Sequence, residues 1–562
     1  MTNEAKTPDH YKQLAICCAV YCGLAFLVLL PLLRPGFVLT LDMVFAPKIE
    51  IPAYASGPLY IFWGFLHVLN GIIPSATIQK LILFGILFLS GFGMHRFLQK
   101  IGPRSLADTW QWGCYFGGLM YMINPFTYSR FMAGQFAVLL GYALVPFFAV
   151  ALIRFCSKPE RKTAGWLVGW ISLIAIISLH ALGLLAVITL FVVTLTAAKV
   201  YKIRAWRKAF LKWSAIAILA TLVVNSYWLI PSALGRGTTA EIVGSFTQAD
   251  QQAFATDPGH LGLFGNVLAM QGFWGESKNL FMVPADSYSW WLVPIVLLWC
   301  VIAFGIVTSF RSRRNVTTMM LLIVLSGVVL GIGTAGTFVA PFNEFLVQHV
   351  PFFAGYREPQ KFVGLIVFGY SYFGAVAVAR LAAWLEDHDI QQHVVSVMTV
   401  LMIIPLLGSS LMIWGFHGQL RSADYPVQWY AVRDMLDATC TGDCKILFLP
   451  WHLYMRYDFA GRIVASPAQK FFGNRIVSSN DPEMDGATAY RTSSDQKDIG
   501  DTVLPAAMKG DDKNFITELK QRHIKFVILV KENDYKKYDF LNDQKGLKVV
   551  QDIPTIKFYE VQ

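Results

Sequence analysis

One carboxylate of the sequence has the setting of a proton-transfer catalyst. Asp42 lies in the segment T-L-D-M-V-F-A-P-K, directly after the first long apolar run, and Lys48 and Glu50 follow within eight residues. An ionised carboxylate near a membrane interface costs free energy unless water or a counter-charge stabilises it. Asp42 is therefore a candidate general base for a hydroxyl group, or a ligand of a divalent cation that bridges a phosphate. A solvated loop acid or a helix cap is the alternative.

A second group of polar residues fills the short turn N-P-F-T-Y-S-R-F-M-A-G-Q, residues Asn124–Gln135. Arg130 and Gln135 can donate hydrogen bonds to a phosphate or a sugar, and Asn124 adds a further polar side chain. Tyr128 offers an aromatic platform on which a sugar could stack. The alternative interpretation is an interfacial anchor made of aromatic and basic residues.

A third group is P-F-F-A-G-Y-R-E-P-Q-K, Pro351–Lys361, immediately before an apolar run. Arg357 could clamp a phosphate with two donors, while Lys361 would act as a point charge. Both bracket Glu358, so a salt bridge at a helix start with a snorkelling lysine is the alternative. His180, at a break between two apolar runs, is either a site residue or a packing histidine.

The tail of the chain contains one alternating polar pattern, in P-W-H-L-Y-M-R-Y. In an extended segment His452, Tyr454 and Arg456 would share one face, because successive side chains of a strand point to opposite sides. They would then either line a site or form a structural strand end.

The elements that position these residues are mostly apolar helices. The chain of 562 residues is 55% hydrophobic and only 15% charged, whereas soluble domains carry about 25% charged residues. Runs that approach the roughly 20 residues of a membrane-spanning helix recur along the chain. We count eleven candidates: Leu14–Leu33, Leu81–Leu98, Trp110–Ile123, Phe136–Phe155, Ala164–Leu179, Leu182–Ala198, Trp213–Pro231, Ser289–Phe310, Thr317–Ala335, Phe362–Ala379 and Val394–Trp414.

The distribution of charge predicts the orientation of these helices. The net charge of +11 resides in the apolar part, because residues 419–562 contain 20 basic and 20 acidic side chains. With the N-terminus inside, about 19 basic residues fall in the inner segments and about 8 in the longer outer ones, which agrees with the positive-inside rule. We therefore expect a multi-pass protein of the cell (inner) membrane with a cytoplasmic N-terminus and an extracytoplasmic C-terminal domain. Nucleic-acid binding is not expected.

The sequence divides into two domains of different character. Residues 1–417 are predicted to be a multi-spanning transmembrane domain with long outer loops, and residues 418–562 a soluble extracytoplasmic α/β domain. In the second part, Lys445–Pro450 and Lys525–Val530 have the apolar composition of buried strands, and Lys513–Arg522 reads as a helix.

Two cysteines of the predicted outer domain differ from the other six. Cys440 and Cys444 lie in C-T-G-D-C, in a compartment that we expect to be oxidising, and can form a short-loop disulfide. A metal pair is the alternative, but no histidine or cysteine motif accompanies them.

The layout resembles that of the GT-C glycosyltransferases, which combine a first helix entering from inside with a large outer loop and an early aspartate. The segments Asn124–Gln135 and Pro351–Lys361 resemble parts of the YfhO-like and arabinofuranosyltransferase-like members of that superfamily. The resemblance implies a polytopic α-helical membrane protein of about eleven helices with a C-terminal extracytoplasmic α/β domain.

The same resemblance implies an activity and its partners. The donor would be a polyprenyl-phosphate-linked sugar in the lipid bilayer, and the acceptor a cell-envelope glycan, lipid or protein at the outer face. Asp42 would be the base, and Arg130, Arg357 and Lys361 would lie on the phosphate side. Because Asp42 lacks the adjacent second acid of some GT-C motifs, a divalent cation stays an open alternative and no cofactor is certain.

Two other classes of function fit the sequence. A transporter or flippase of lipid-linked glycans would need a basic central cavity between paired helix bundles, whereas the long outer loops and the soluble tail argue against it. A non-catalytic envelope-assembly protein would use the tail to bind partners.

Overall fold

The computed structural model describes residues 8–236, 241, 243–388, 390–484, 487 and 493–562. The apolar part is helical almost throughout, as a chain without water to satisfy its backbone must be. Its longer helices are Pro8–Leu29, Gly57–Asn70, Ser75–Ile101, Trp110–Met122, Pro125–Met132, Phe136–Ser157, Arg161–Ile177, Ala181–Val200, Arg204–Val224, Ser226–Ala233, Leu292–Ile332, Ala340–His349, Val363–Asp387 and Val394–Gly408. Shorter helices are Gln248–Ala253, Gly262–Leu268 and Pro284–Ser287.

The C-terminal part mixes strands and helices. Its helices are Val427–Thr439, Ala468–Phe472, Ser494–Asp498, Leu504–Met508 and Phe515–Gln521. The strands of the described chain are β1 (Phe37–Val38), β2 (Ser422–Ala423), β3 (Lys445–Leu449), β4 (Tyr454–Tyr457), β5 (Arg462–Ala465), β6 (Ile476–Val477), β7 (Ile524–Val530), β8 (Leu547–Asp552) and β9 (Ile556–Val561). The strands and the helix expected in this part are therefore confirmed.

Every apolar run expected to cross the membrane contains a helix. The bounds of these helices differ from those of the runs, and some of the helices are too short to cross a bilayer or are bent. Among the described residues, seven helices are long and apolar enough to cross a bilayer, or eight if one pair bent by 78° is a single span. The bent pair is Arg204–Val224 with Ser226–Ala233. Two further expected spans, Trp110–Met122 with 13 residues and Arg161–Ile177 with 17, are shorter helices.

Two of the expected spans follow each other directly and meet at a break in the backbone. Leu292–Ala335 comprises 44 residues, which at 1.5 Å per residue is about twice the thickness of a bilayer core. Its backbone leaves the helical region at Arg313, with φ −148° and ψ 53°. The break separates the two predicted runs, so the chain is a multi-pass α-helical membrane protein as the sequence indicates.

The chain forms two compact units. The first comprises Met1–Pro31, Leu81–Leu234 and Phe254–Gln419, and the second Leu32–Lys80, Gly235–Ala253 and Leu420–Gln562. The second unit thus combines the predicted C-terminal domain with segments from two of the long loops that the sequence places on the outer side.

In the first unit, Val363–Asp387 is the central helix, and every residue of its first part, Val363 to Ala379, is buried. It packs against Leu292–Ile332 and Trp110–Met122 through glycines. A Cβ atom at Gly305 would collide with the carbonyl oxygen of Phe373, and one at Gly113 with that of Ala375. Small residues let membrane helices approach this closely, because lipid provides no hydrophobic force between them.

The second unit has a five-stranded sheet in the order β6-β3-β7-β9-β8. Strand β3 pairs in parallel with β6 and β7, whereas β7–β9 and β9–β8 are antiparallel. The antiparallel hairpin β4–β5 stands apart from this sheet, and β1 pairs with β2. This hairpin contacts the segment that contains Asp42, through Val464 and Tyr454.

The glycine contact predicts a selective loss of stability. Gly305→Ala should lower the free energy of unfolding by roughly 1–3 kcal/mol or more, because the new methyl group meets backbone that cannot move away cheaply. The measurement is thermal unfolding of the detergent-solubilised protein. Gly165→Ala is the matched control, since a Cβ there meets no atom within 4 Å; an equal loss at both positions would contradict the packing argument.

Candidate functional site

Asp42 is an exposed carboxylate in an otherwise buried segment. The other residues of the stretch 37–46 are all buried, and Asp42 alone among them is exposed. The segment is fixed on one side by the β1–β2 pair. On the other side, Leu41 donates its amide to the Ile463 carbonyl at 3.2 Å and accepts from the Ala465 amide at 2.9 Å. The carboxylate is thus presented to solvent by a well-anchored backbone.

A tight turn brings Asp42 to the surface. Thr40 and Met43 exchange two backbone hydrogen bonds, at 3.2 and 2.7 Å, across the two residues between them. Leu41, inside the turn, has a positive φ of 35°, which non-glycine residues adopt only rarely. At the turn, the hydroxyl of Tyr454 donates a hydrogen bond to Oδ1 of Asp42.

The two charged residues that follow Asp42 have different settings. Lys48 is exposed and Glu50 is half-buried. Glu50 lies toward Lys470, whose side chain packs over the Trp63 ring at 3.5 Å from its centroid. Burial lowers the pKa of Lys470 to about 7, and the Glu50 charge opposes that shift.

The polar residues of the first unit converge on one buried carboxylate, Glu358. Arg130 donates from Nη1 to Glu358 Oε2 at 2.7 Å and to Gln135 Oε1 at 2.7 Å. Gln135 donates in turn from Nε2 to both carboxylate oxygens, at 2.9 and 3.2 Å. Lys361 Nζ lies 3.7 Å from Oε2 and 3.3 Å from Nε2 of His180. Five of the predicted site residues therefore form one cluster.

The charges of this cluster fix its protonation states. Burial alone would raise the pKa of Glu358, but the positive charges of Lys361 and Arg130 outweigh it and hold that pKa well below its usual range. Burial, followed by repulsion from Lys361, lowers the pKa of His180 to about 3. At neutral pH Glu358 is therefore ionised and His180 is neutral, so its ring can accept a hydrogen bond from the Lys361 ammonium.

Arg130 and Arg357 are both stacked on aromatic rings. Arg130 is completely buried, and its guanidinium carbon lies 4.8 Å from the centroid of the Phe273 ring. Arg357 is half-buried, with its guanidinium carbon 4.0 Å from the centroid of the Phe254 ring. Such stacking stabilises a cation most strongly where water is scarce.

Asn124 and Tyr128 hold the turn together. Asn124 caps the helix Pro125–Met132, because its Oδ1 accepts from the Thr127 amide at 2.9 Å. Tyr128 is buried; its hydroxyl donates to the Met282 carbonyl at 2.6 Å, and its ring stacks near Phe416. The ring face expected to receive a sugar is thus packed against protein.

The two cysteines of the C-T-G-D-C segment form a disulfide, as the sequence predicts. Cys440 and Cys444 are joined with their Cα atoms 5.3 Å apart.

Nowhere in the described ranges do three or more His, Cys, Asp or Glu side chains group closely enough to hold a metal ion.

The alternating tail motif is only partly a strand. Tyr454 and Arg456 lie in β4, whereas His452 precedes it and bridges two carboxylates. Its Nδ1 is 2.7 Å from Glu483 and its Nε2 is 2.9 Å from Asp534. These hydrogen bonds, that of Glu483 first, overcome the effect of burial and raise the pKa of His452 to about 9. The histidine is thus a charged tie within the second unit.

Sequence reasoning missed the contacts rather than the residues. Nothing in the sequence paired Arg130 with Glu358, which lie 228 positions apart, or Asp42 with Tyr454, which lie 412 apart. The available signals were the unusual charges among apolar residues, which must find partners, and the alternation that placed Tyr454 on one face of a strand.

These features define a class: a multi-pass α-helical membrane protein with a buried ionic cluster in one unit and an anchored, exposed aspartate in the other. No protein-family model and no curated protein matches the sequence.

Two known structures are similar in fold to this chain. Two cryo-EM structures of the arabinofuranosyltransferase AftD from Mycobacteria superpose on 98% of this chain, with TM-scores of 0.59 and 0.61 and 14% sequence identity. The likeness shows that this chain shares the fold of AftD, the kind of multi-pass fold expected from the resemblance. The chain corresponds to only 41% and 40% of the two AftD chains, so it spans about two fifths of their length.

The buried cluster predicts a large cost for removing its only described acid. Glu358→Gln should lower the free energy of unfolding by about 3–5 kcal/mol, because Arg130 and Lys361 would keep their charges without the carboxylate that compensates them. Thermal unfolding in detergent measures the loss. Glu160→Gln breaks the Lys158–Glu160 pair, whose side chains are 77% and 38% exposed, and should cost at most about 1 kcal/mol. Equal effects would show that the cluster is not a buried ion pair.

The His452 tie predicts a pH dependence of stability. Because its folded pKa of about 9 exceeds the ordinary value of 6.5, its contribution is fully present below pH 6.5 and is lost as the pH rises through 9. The loss should be at most about 3 kcal/mol. Unfolding of the second unit, followed between pH 6 and 10, should become less pH-dependent in His452→Gln; an unchanged profile would refute the assignment.

Proposed function

We propose that this protein is a glycosyltransferase of the GT-C type. In this proposal it transfers a sugar from a polyprenyl-phosphate donor to a cell-envelope glycan, lipid or protein. The fold shared with AftD supports the class of enzyme. The single observation that carries the proposal is Asp42, an exposed carboxylate on a buried and anchored loop. A general base needs this combination of fixed position and access to substrate.

The proposed orientation follows from charge. The N-terminus would be cytoplasmic and Asp42 would face the outer side of the cell (inner) membrane, since basic residues concentrate in the segments assigned to the inside. A polyprenyl-linked sugar that is anchored in the outer leaflet could then reach Asp42.

The proposed reaction is a single displacement. The Asp42 carboxylate removes the proton of an acceptor hydroxyl, and that oxygen attacks the anomeric carbon of the donor sugar. The bond from the anomeric carbon to the phosphate oxygen breaks, and its electron pair leaves with the polyprenyl phosphate. The configuration at the anomeric carbon inverts, and Asp42 returns its proton to solvent.

Cationic side chains would stabilise the departing phosphate, which gains negative charge in the transition state. Arg357 and Lys361 are the candidates that the sequence indicated, together with Arg130. Of these, Arg357 is the most accessible, while Arg130 and Lys361 are buried beside Glu358. Arg357 is therefore the first of the three to test for phosphate binding.

The proposal predicts the loss of transfer without the loss of folding. Asp42→Asn keeps the shape of the side chain but removes its basicity, and should lower the rate of transfer at least about 100-fold. The assay follows release of polyprenyl phosphate from a panel of synthetic polyprenyl-phosphate sugars, starting with the arabinofuranose donor that the name of AftD suggests. Thermal unfolding in detergent should match that of the unchanged protein.

Asp434→Asn is the matched control. Asp434 lies in the same unit with a side chain 69% exposed, beside Arg433, and should be neutral for transfer. An Asp42→Asn variant that is folded and fully active would remove the assigned base. An unchanged protein that releases no lipid phosphate from any donor of the panel would overturn the proposed function.

A further inference from the structure

The hydroxyl that donates to Asp42 comes from the C-terminal region. Tyr454 lies in β4, where it pairs with Ala465 of β5. On the other edge of β5, Leu41 forms a parallel bridge with Val464. The segment around Asp42 is therefore joined to β5 by one isolated bridge, so that β5 lies between this segment and β4.

This register explains why the two side chains meet. Directly paired residues share one face of a sheet, and neighbours in sequence alternate between faces. Leu41 lies on the buried face with Val464, and the turn that contains it directs Asp42 to the side of Tyr454, whose hydroxyl it accepts from. Ala465 lies between the two, because it is directly paired with Tyr454 and donates its amide to the Leu41 carbonyl at 2.9 Å.

We infer that Tyr454 is a positioning residue for Asp42, an inference that rests on the proposed function. Its hydroxyl holds the carboxylate in one rotamer and favours the ionised form that can accept a proton. Stability alone does not account for the contact, because a hydrogen bond between solvent-accessible groups contributes little net free energy. Strand β4 is anchored by its other face, where Met455 and Tyr457 are buried.

The inference changes the role of the C-terminal region. The base and its hydrogen-bond donor come from the first long loop and from a strand 412 residues later. The hairpin of this region is then part of the candidate active site and not an accessory module that merely follows the membrane helices.

The test compares two phenol-to-phenyl substitutions on one strand. Tyr454→Phe should lower kcat for release of polyprenyl phosphate about 10- to 100-fold, the effect of one hydrogen bond to a charged group, with little change in KM. The acidic limb of its pH–rate profile should move to higher pH, because a carboxylate that loses a donor is more readily protonated. Tyr457→Phe, on the opposite face, should behave like the unchanged protein.

A second measurement does not need activity. In the full-length protein, pH-difference infrared spectra of the unchanged chain and of Asp42→Asn isolate the carboxyl band of Asp42. In Tyr454→Phe that band should appear at higher pH. If this variant does not fold, 3-fluorotyrosine introduced at position 454 provides the opposite test, since its more acidic phenol donates more strongly and should move the band to lower pH.

The outcomes separate the two proposals. A folded Tyr454→Phe with unchanged kcat, an unchanged pH profile and an unchanged carboxyl band overturns the role of Tyr454 even if Asp42→Asn is inactive. If the unchanged protein transfers no sugar, the proposed function fails, and with it the catalytic meaning of the contact, while the infrared comparison still shows whether Tyr454 controls the protonation of Asp42.

Discussion

The hydrocarbon core of a membrane offers no partner to a backbone amide or carbonyl, so each crossing segment must satisfy those groups within itself. This constraint makes the apolar part of the chain helical, and the candidate reactive side chains therefore lie in the segments between the long helices. It also makes those segments dependent on specific pairing. The stretch 37–46 shows this dependence, since its backbone groups bond to β2, to β5 and across its own turn.

The same constraint explains how far the sequence could predict the fold. Apolar composition located every described helix that is long and apolar enough to cross a bilayer, because burial in lipid selects for such composition over some twenty consecutive residues. It also separated the two runs on either side of Arg313, where the backbone leaves the helical region. It did not predict the bend of 78° between Arg204–Val224 and Ser226–Ala233, which were expected as one straight run. The end of Trp110–Met122 had a local signal, because Asn124 caps the next helix and Pro125 begins it.

The sequence predicted which residues belong to the candidate site, but not which of them contact one another. Charged side chains among apolar neighbours stood out because each must be solvated or paired. Which partner each one finds is decided by tertiary packing: Glu358 is held by Gln135 and Arg130 from a distant turn as well as by Lys361, three positions away. The sequence alone placed Arg357 and Lys361 beside Glu358, whereas the structure stacks Arg357 on Phe254.

Glu358 and Asp42 carry the same functional group, but their surroundings differ in burial and charge and suit them to different roles. Glu358 is buried, and the charges around it hold its pKa well below its usual range, so it is a poor proton acceptor and a strong structural anchor. Asp42 is exposed and its described donor is a neutral hydroxyl. A base that acts repeatedly must release each proton to solvent before the next cycle, and a solvent-accessible carboxylate can do so. Exposure on an anchored backbone therefore favours Asp42 over Glu358 as the base of the proposed reaction.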